Sequence, residues 1–341
     1  MSPRSIALRA VLFVGVTAVV AVSAVALTAQ QSPSRPGSTW TQPRTPDGHP
    51  DIQGVWSNDA ITPLQRPVQI KDRALLTPQE VVTLKTKAAE LFAGDGDAGF
   101  GDSLFIAALQ SAKEFRSSDS GTGNYNHFWV AERTIDNRTS LITHPADGRI
   151  PALTPEAEAR QKEVAARRKT HPADGPEDRG LTERCISFGL PNTLAGYNAN
   201  IRILQSRDHV VVLQEMIHDA RVIPLDGRPH VGTSIRHWLG DSRGRWEGTT
   251  LVVETTNFVR NAFQGASENL RLTERFTRVA ADTLQYEFTV EDATTWTKPW
   301  TAMIPYKQNA ANIYEYACHE GNHGMVGILA GHRTQEKGSS R

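Results

Sequence analysis

The hydrophobic positions divide the chain into a helical half and a half with strand-like alternation. Before residue 200, helical patterns cover three segments, at 77–92, 103–115 and 154–169. Thr77 is followed three residues later by Glu80, which is the spacing of a capping box, and proline stands at the first helical position of the first and third segments. The first half is therefore predicted to be helical and irregular, with one short strand at 51–56.

From about residue 200 the pattern changes to short strands joined by tight turns. Apolar residues occupy every second position from Leu284 to Val290 and alternate with polar ones, which predicts a strand with one buried face. Eight strands are predicted, at 201–206, 209–223, 234–239, 250–258, 270–279, 283–291, 300–306 and 312–319. About eight consecutive antiparallel strands can close into a barrel with room for a small ligand. The predicted fold class is α+β, with a helical and irregular N-terminal half and an antiparallel meander that closes into a lipocalin-like β-barrel.

The first 29 residues have the parts of a secretory signal peptide. Arg4 and Arg9 precede Ala10–Leu27, an apolar run without a charge, and small residues follow. An uncleaved membrane anchor is the alternative, because the run approaches the length of a membrane span. The predicted organisation is a signal peptide at 1–29, an extended linker at 30–50, a helical and irregular region at 51–199, a barrel domain at 200–320 and a C-terminal tail at 321–341. The predicted location is periplasmic or secreted, with no stable membrane insertion after cleavage.

Charge and cysteine content narrow the class of protein further. The 341 residues carry 37 basic and 37 acidic side chains, a balance that argues against a nucleic-acid-binding protein. Cys185 and Cys318 are the two cysteines. In an oxidising compartment they can form one disulfide, and the alternative is a pair of buried free thiols.

Five segments carry a resemblance to known proteins: Thr45–Trp56, His218–His230, Trp238–Gly248, Thr250–Phe258 and Tyr314–Asn322. Together they resemble a family of secreted bacterial proteins to which no activity is assigned. This resemblance implies export, but it transfers no catalytic residue. The Gly-Val-Trp sequence at 54–56, together with the meander, also resembles lipocalin-type barrels in architecture.

One carboxylate falls on the apolar face of a predicted strand. Glu274 lies there, and a buried carboxylate is costly unless it is paired. Burial also favours acid–base chemistry, so Glu274 is the predicted catalytic acid or base, with His218 or His319 completing the proton relay. A structural ion pair with an arginine such as Arg221 is the alternative.

Most of the predicted ligand-binding side chains lie in the segment 209–223 and in the hairpin after it. Strand periodicity places three polar residues of that segment on one face, and histidines and a tryptophan follow within twenty residues. The predicted set is Glu215, Asp219, Arg221, His230, His237, Trp238, Glu254 and Glu315. Further tryptophans, which line either a pocket or the core, are Trp129, Trp246, Trp296 and Trp300.

The sequence His319-Glu-Gly-Asn-His323 is a literal H-E-x-x-H motif. Zincin chemistry requires this motif on a helix, and Gly321 and Asn322 are poor helix formers. A loop site that uses His319 and His323 with a distant carboxylate is the alternative. No cofactor is favoured, although a divalent metal such as zinc is compatible with these residues.

These observations predict an exported β-barrel protein that binds a small molecule and acts on a partly apolar or aromatic substrate by general acid–base chemistry. Two alternatives stay open. One is a non-catalytic periplasmic ligand binder, and the other is a metal-dependent hydrolase that uses His319 and His323.

Overall fold

The computed structural model describes residues 40–93, 102–110 and 134–339. The predicted signal peptide, residues 30–39 of the predicted linker and Trp129 lie outside these ranges. In chain order the strands and α-helices are β1 Gly54–Ser57, α1 Pro78–Ala93, α2 Asp102–Leu109, β2 Ile142–His144, α3 Pro155–Thr170, β3 Asn200–Gln205, β4 His209–Gln214, β5 Ala220–Pro224, β6 Asp241–Glu247, β7 Thr250–Thr256, β8 Arg271–Ala280, β9 Thr283–Glu291, β10 Trp300–Gln308 and α4 His323–Ser339. In the described ranges no helix has both the length and the apolar character that crossing a membrane requires.

The strands form one antiparallel sheet that curls into a nearly closed barrel. Their order is β5-β4-β3-β1-β10-β9-β8-β7-β6, and the short β2 also pairs with β10. The first and last strands of this order, β5 and β6, lie next to each other. The predicted fold class, α+β with an antiparallel β-barrel, is confirmed.

The barrel closes where β5 approaches β6 at a glycine. A methyl group on Gly244 would lie 2.7 Å from a side-chain carbon of Leu225 and 2.8 Å from one of Ile223. Because carbon atoms do not approach that closely, only glycine lets the two edges pack together.

The predicted alternation in β9 produces the buried face of the sheet. Leu284, Tyr286, Phe288 and Val290 are at most 2% exposed, and the residues between them are half-buried. Trp296 and Trp300 are also in this core and make an edge-to-face contact with each other. These two tryptophans therefore stabilise the barrel by packing.

The predicted helix starts are also present. Thr77 Oγ1 accepts a hydrogen bond from the Glu80 backbone at 3.3 Å, and the Glu80 carboxylate accepts one from the Thr77 backbone at 2.8 Å. Thr154 caps α3 by accepting from the Ala157 backbone at 3.1 Å. Helices α1 and α2 contribute to a second, smaller apolar cluster beside the main core.

Several predicted strands are wrong in detail. The segment 209–223 is two strands, because Ile217 and His218 have positive φ and reverse the chain. The segments 234–239 and 312–319 contain no strand, and most of their side chains are exposed, so no buried face holds them in a sheet. Residues 241–247 lie between two of the predicted strands but form β6, and the hairpin turn lies at Gly248.

The barrel and the tail also differ in extent from the sequence-based boundaries. Strand β1, from the region predicted to be helical and irregular, lies between β3 and β10. The last barrel strand ends at Gln308, and the segment expected to be a C-terminal tail contains α4.

An ion pair lies inside the barrel. Two guanidinium nitrogens of Arg221 donate to the two carboxylate oxygens of Glu274, with Nη2 at 2.9 Å from Oε1. The Tyr286 hydroxyl donates to the same Oε1 at 2.8 Å. The three residues are at most 6% exposed. Burial, and then the charge of Glu274, raises the pKa of Tyr286 well above its usual value, so Tyr286 remains a donor. The ion-pair alternative for Glu274 is therefore the arrangement present in the structure.

Removing one partner of this pair should be costly. We expect Arg221→Met to lower the free energy of unfolding by about 3–5 kcal/mol, because it leaves the Glu274 carboxylate buried without a counter-charge. The double variant Arg221→Met with Glu274→Gln should recover most of this loss, since Gln is neutral and still accepts from Tyr286. Urea unfolding of both variants checks this. Equal losses in the single and double variants would contradict it.

A disulfide joins the two cysteines and ties the C-terminal segment to the body of the protein. It links Cys185 to Cys318, and Asn322 donates to the backbone oxygen of Glu183 at 2.8 Å nearby. Most side chains after residue 309 are exposed, so few apolar contacts hold this segment. Of the two alternatives for the cysteines, the disulfide is the one that the structure confirms.

Reduction should loosen α4 without unfolding the barrel. We expect amide hydrogen exchange in α4 to accelerate on reduction, or in Cys185→Ser with Cys318→Ser, because local opening then lacks its covalent restraint. Exchange in β8 and β9 serves as the internal control and should not change. Unchanged exchange in α4 would show that its non-covalent contacts are sufficient.

Candidate functional site

The structure does not bring the predicted catalytic side chains together. Both carboxylate oxygens of Glu274 are bonded to Arg221 or Tyr286 inside the barrel. His218 is exposed in the β4–β5 turn, and His319 is exposed near the disulfide. A proton relay between Glu274 and either histidine therefore stays a prediction without a supporting contact among the described residues.

Four of the predicted ligand-binding residues have structural partners or lie on the surface. Glu215 is buried and accepts from Asn200 Nδ2 at 2.6 Å. His230 is 2.9 Å from Asp241, and the partly exposed Glu254 pairs with Arg245 at 2.6 Å. Glu315 is exposed in a segment without regular structure. The described contacts thus give these four no shared cavity.

The H-E-x-x-H motif is not on a helix. Its first residues form a turn, and α4 begins at His323, the last residue of the motif. His319 and His323 therefore do not share a helix face, which removes the zincin geometry.

Three of the predicted residues do meet in one cavity, which we call the carboxylate pocket. Its volume is about 430 Å³, within the usual range of small-molecule sites. It is lined by Ile186, Ser187, Asp219, Arg236, His237, Trp238, Leu239 and Val259. The first two come from a loop that precedes β3, Asp219 comes from the β4–β5 turn, and the rest come from segments on either side of the β6–β7 hairpin.

Asp219 is the acidic group of the carboxylate pocket. Burial raises its pKa, although hydrogen bonds from the Ser187 hydroxyl and the Phe188 backbone act in the opposite direction. Its Oδ2 is buried and has no hydrogen-bond partner. A buried acceptor without a partner costs free energy, so this oxygen is available to a ligand donor.

The carboxylate pocket also has an apolar wall, which is held in place by hydrogen bonds to backbone atoms. Trp238 is 41% exposed, which is high for a large aromatic side chain. The neighbouring His237 fixes this wall, since its N–H donates to Asn257 O at 3.0 Å and its carbonyl accepts from Val259 N at 3.1 Å. The Arg236 guanidinium donates to the backbone oxygens of Phe258 and Glu268 at 3.1 and 2.6 Å. The indole is thus presented by a fixed segment.

Asn257 is a supporting residue that the sequence analysis missed. Its backbone has positive φ, and its Nδ2 lies 3.0–3.1 Å from the carbonyl oxygens of Val231, Gly232 and Ile235. It therefore anchors the connection from β5 to the pocket wall. The only sequence signal was an asparagine at the end of a strand, which tolerates this conformation.

A second cavity also has Trp238 in its lining, and five arginines line it as well. Its volume is about 270 Å³, and we call it the arginine groove. Its charged lining residues are Arg167, Arg168, Arg179, Arg184 and Arg260, together with Glu177 and Asp178. Arg167 pairs with Asp178, whereas the side chains of Arg168 and Arg184 make no hydrogen bond or ion pair with the described residues. Arg179 and Arg260 are also paired, with Glu183 and Glu268, so the groove offers two guanidinium groups outside such pairs next to an aromatic surface.

The fold and these cavities define the protein by architecture, as a nearly closed antiparallel β-barrel with a carboxylate pocket formed by its loops. Comparison with protein-family models, with curated proteins and with solved structures finds no match for the chain. The barrel fits the architectural likeness to lipocalin-type proteins. The expected membership in a family of secreted bacterial proteins is not supported by these comparisons.

The raised pKa of Asp219 has a consequence for stability. A carboxyl group whose pKa is higher in the folded state makes a folded protein less stable once the pH rises through that pKa. In Asp219→Asn this loss is absent. We therefore expect the stability of the variant relative to the parent protein to increase between about pH 3 and about pH 7, as measured by urea unfolding.

Asp241→Asn is the control variant, for which the opposite change of stability with pH is expected. Burial opposes ionisation of Asp241, but hydrogen bonds from the Val231 backbone, His230 and Arg243 outweigh it and lower the pKa. The parent protein should therefore gain stability relative to Asp241→Asn over the same pH interval. If the two variants show the same pH trend, the assignment for Asp219 is wrong.

Proposed function

We propose that this protein is an exported binder of a small, partly aromatic molecule, which the carboxylate pocket holds. The observation that carries the proposal is the meeting of an unsatisfied carboxylate oxygen on Asp219 with the exposed indole of Trp238 in one cavity. A ligand hydroxyl or amine would satisfy the oxygen, and an aromatic ring would cover the indole.

The arginine groove indicates the charge of this ligand. Because it shares Trp238 with the carboxylate pocket, a molecule stacked on the indole extends toward Arg168 and Arg184. Guanidinium groups bind carboxylates and phosphates through paired hydrogen bonds. The proposed ligand class is therefore a hydroxylated or aminated aromatic molecule that carries an anionic group.

Export is supported by two features of the chain. The disulfide between Cys185 and Cys318 is consistent with an oxidising compartment. The N-terminal 29 residues have the pattern of a secretory signal. The proposed location is the periplasm or the extracellular medium.

Binding without catalysis is favoured by the state of Glu274. Its oxygens are occupied by Arg221 and Tyr286, and the group has no exposed surface. A second candidate function is acid–base catalysis by Asp219, which the raised pKa of this group in the pocket favours.

Calorimetric titration with a matched set of aromatic compounds tests the proposal. The set comprises hydroxylated aromatic carboxylates and the same rings without the hydroxyl or without the carboxylate. We expect the compounds with both groups to bind most tightly. Asp219→Ala and Trp238→Ala should each weaken them about tenfold or more, since each removes one contact.

Two matched variants serve as controls for that titration. Asp208 precedes β4 at the end opposite Asp219, and Trp40 has a similar exposure of 38% to that of Trp238. Asp208→Ala and Trp40→Ala should leave the affinities unchanged. Equal loss in the test and control variants, or no binding by any member of the set, would refute the proposal. Turnover of a bound compound that Asp219→Asn abolishes would establish the catalytic candidate.

A further inference from the structure

We infer a second site, for a divalent transition-metal ion such as Zn²⁺, formed by Asp174, His332 and Glu336. Asp174 follows α3, and the other two residues are one turn apart on α4. Their donor atoms all lie within 4.8 Å of one another. The site is separate from the H-E-x-x-H motif and from the carboxylate pocket, so it does not depend on the proposed function.

Two of the three distances between donor atoms match those around a tetrahedral metal ion. His332 Nε2 is 3.2 Å from Asp174 Oδ1 and 3.4 Å from Glu336 Oε1. A tetrahedral Zn²⁺ with bonds of about 2.0–2.2 Å places neighbouring ligand atoms about 3.3–3.5 Å apart. One imidazole and two carboxylates are also a ligand set that zinc accepts, with a fourth position left for water.

A fourth residue orients one of the ligands. His171 Nδ1 lies 2.6 Å from Asp174 Oδ2, the carboxylate oxygen that does not face His332. Hydrogen bonds of this kind to a ligating carboxylate fix its orientation and strengthen metal binding. His171 is therefore a positioning residue for the metal site.

The hexapeptide Thr-His-Pro-Ala-Asp-Gly provides an internal comparison. It occurs at 143–148 and at 170–175. In the first copy Asp147 accepts from the Arg149 backbone at 3.0 Å, and His144 is exposed. Only the second copy meets the histidine and glutamate of α4. The same hexapeptide thus occurs with and without the proposed metal ligands.

The charges at this place favour a bound cation. Two carboxylates converge on a single imidazole nitrogen, which carries at most one proton to share between them. Arg333 contributes positive charge, because its Nη1 lies 2.8 Å from both carboxylate oxygens of Glu336 and its Nη2 contacts the backbone oxygen of Asp174. A metal ion would compete with Arg333 for Glu336 and hold α4 against the turn after α3.

Titration of chelator-treated, untagged protein with Zn²⁺ alone tests the inference. We expect one Zn²⁺ per chain. His332→Ala should weaken binding by about 100-fold or more because a ligand is lost, and His171→Ala by about 10-fold because only orientation is lost. His144→Ala, the matched change in the first hexapeptide copy, should have no effect. The double change of His319 and His323 to Ala should also leave the affinity unaltered.

Hydrogen exchange of the parent protein tests the inference even if a substitution detaches α4 from the body of the protein. In the parent protein, Zn²⁺ should slow amide exchange in α4 and in residues 171–175 but not in β8 or β9. X-ray absorption of the zinc-loaded parent protein should show one imidazole with oxygen ligands. Binding that survives in His332→Ala, or that is lost with His319 and His323, would overturn the inference, and so would the absence of zinc binding.

Discussion

The ion pair between Arg221 and Glu274 is the interaction on which the barrel depends most. Arg221 is on β5, at one end of the strand order, and Glu274 is on β8, close to the other end. The pair therefore crosses the interior and joins the two halves of the curled sheet. Strand pairing alone does not supply this connection, because β5 and β6 pack side by side without a paired register in the described part of the chain. A buried charge pair of this kind also excludes alternative registers, since a slip would bury each charge alone.

Strand β5 begins beside the pocket and carries one member of this interior pair. Asp219 lies in the β4–β5 turn, two residues before Arg221 on β5. Arg221 meets its counter-charge in the interior, whereas Asp219, at the entrance to β5, has a carboxylate oxygen without a partner. The chain thus pairs one of these two charges in the interior and leaves a carboxylate oxygen of the other without a hydrogen-bond partner. Such an unsatisfied group costs stability, which is common at binding sites.

The parts of this structure that follow local rules could be predicted from the sequence. Alternation in β9 and the caps at Thr77 and Thr154 depend on neighbouring residues alone, and they appear as expected. The turn inside 209–223 was missed because an apolar run continues through it, and only the backbone at Ile217 and His218 reveals the reversal. The alternation of side chains along the strand placed Glu274 on the buried face, but it did not decide between proton transfer and an ion pair with Arg221.

The site was predictable only in part, because it is assembled from distant segments. Asp219, His237 and Trp238 were expected to bind a ligand, and they do line one cavity. The arginine groove was not expected, because the sequence of α3 has the pattern of an ordinary charged surface helix. Only tertiary packing places the arginines of α3 beside Trp238. Likewise, Asp174 and His332 are 158 residues apart, so no spacing rule connects them.

Crystallographic fragment screening tests the central claim most directly. If the carboxylate pocket is the binding site, hydroxylated aromatic fragments will occupy it, with a donor on Asp219 and the ring against Trp238. Fragments that gather elsewhere on the barrel and leave this pocket empty would contradict the account.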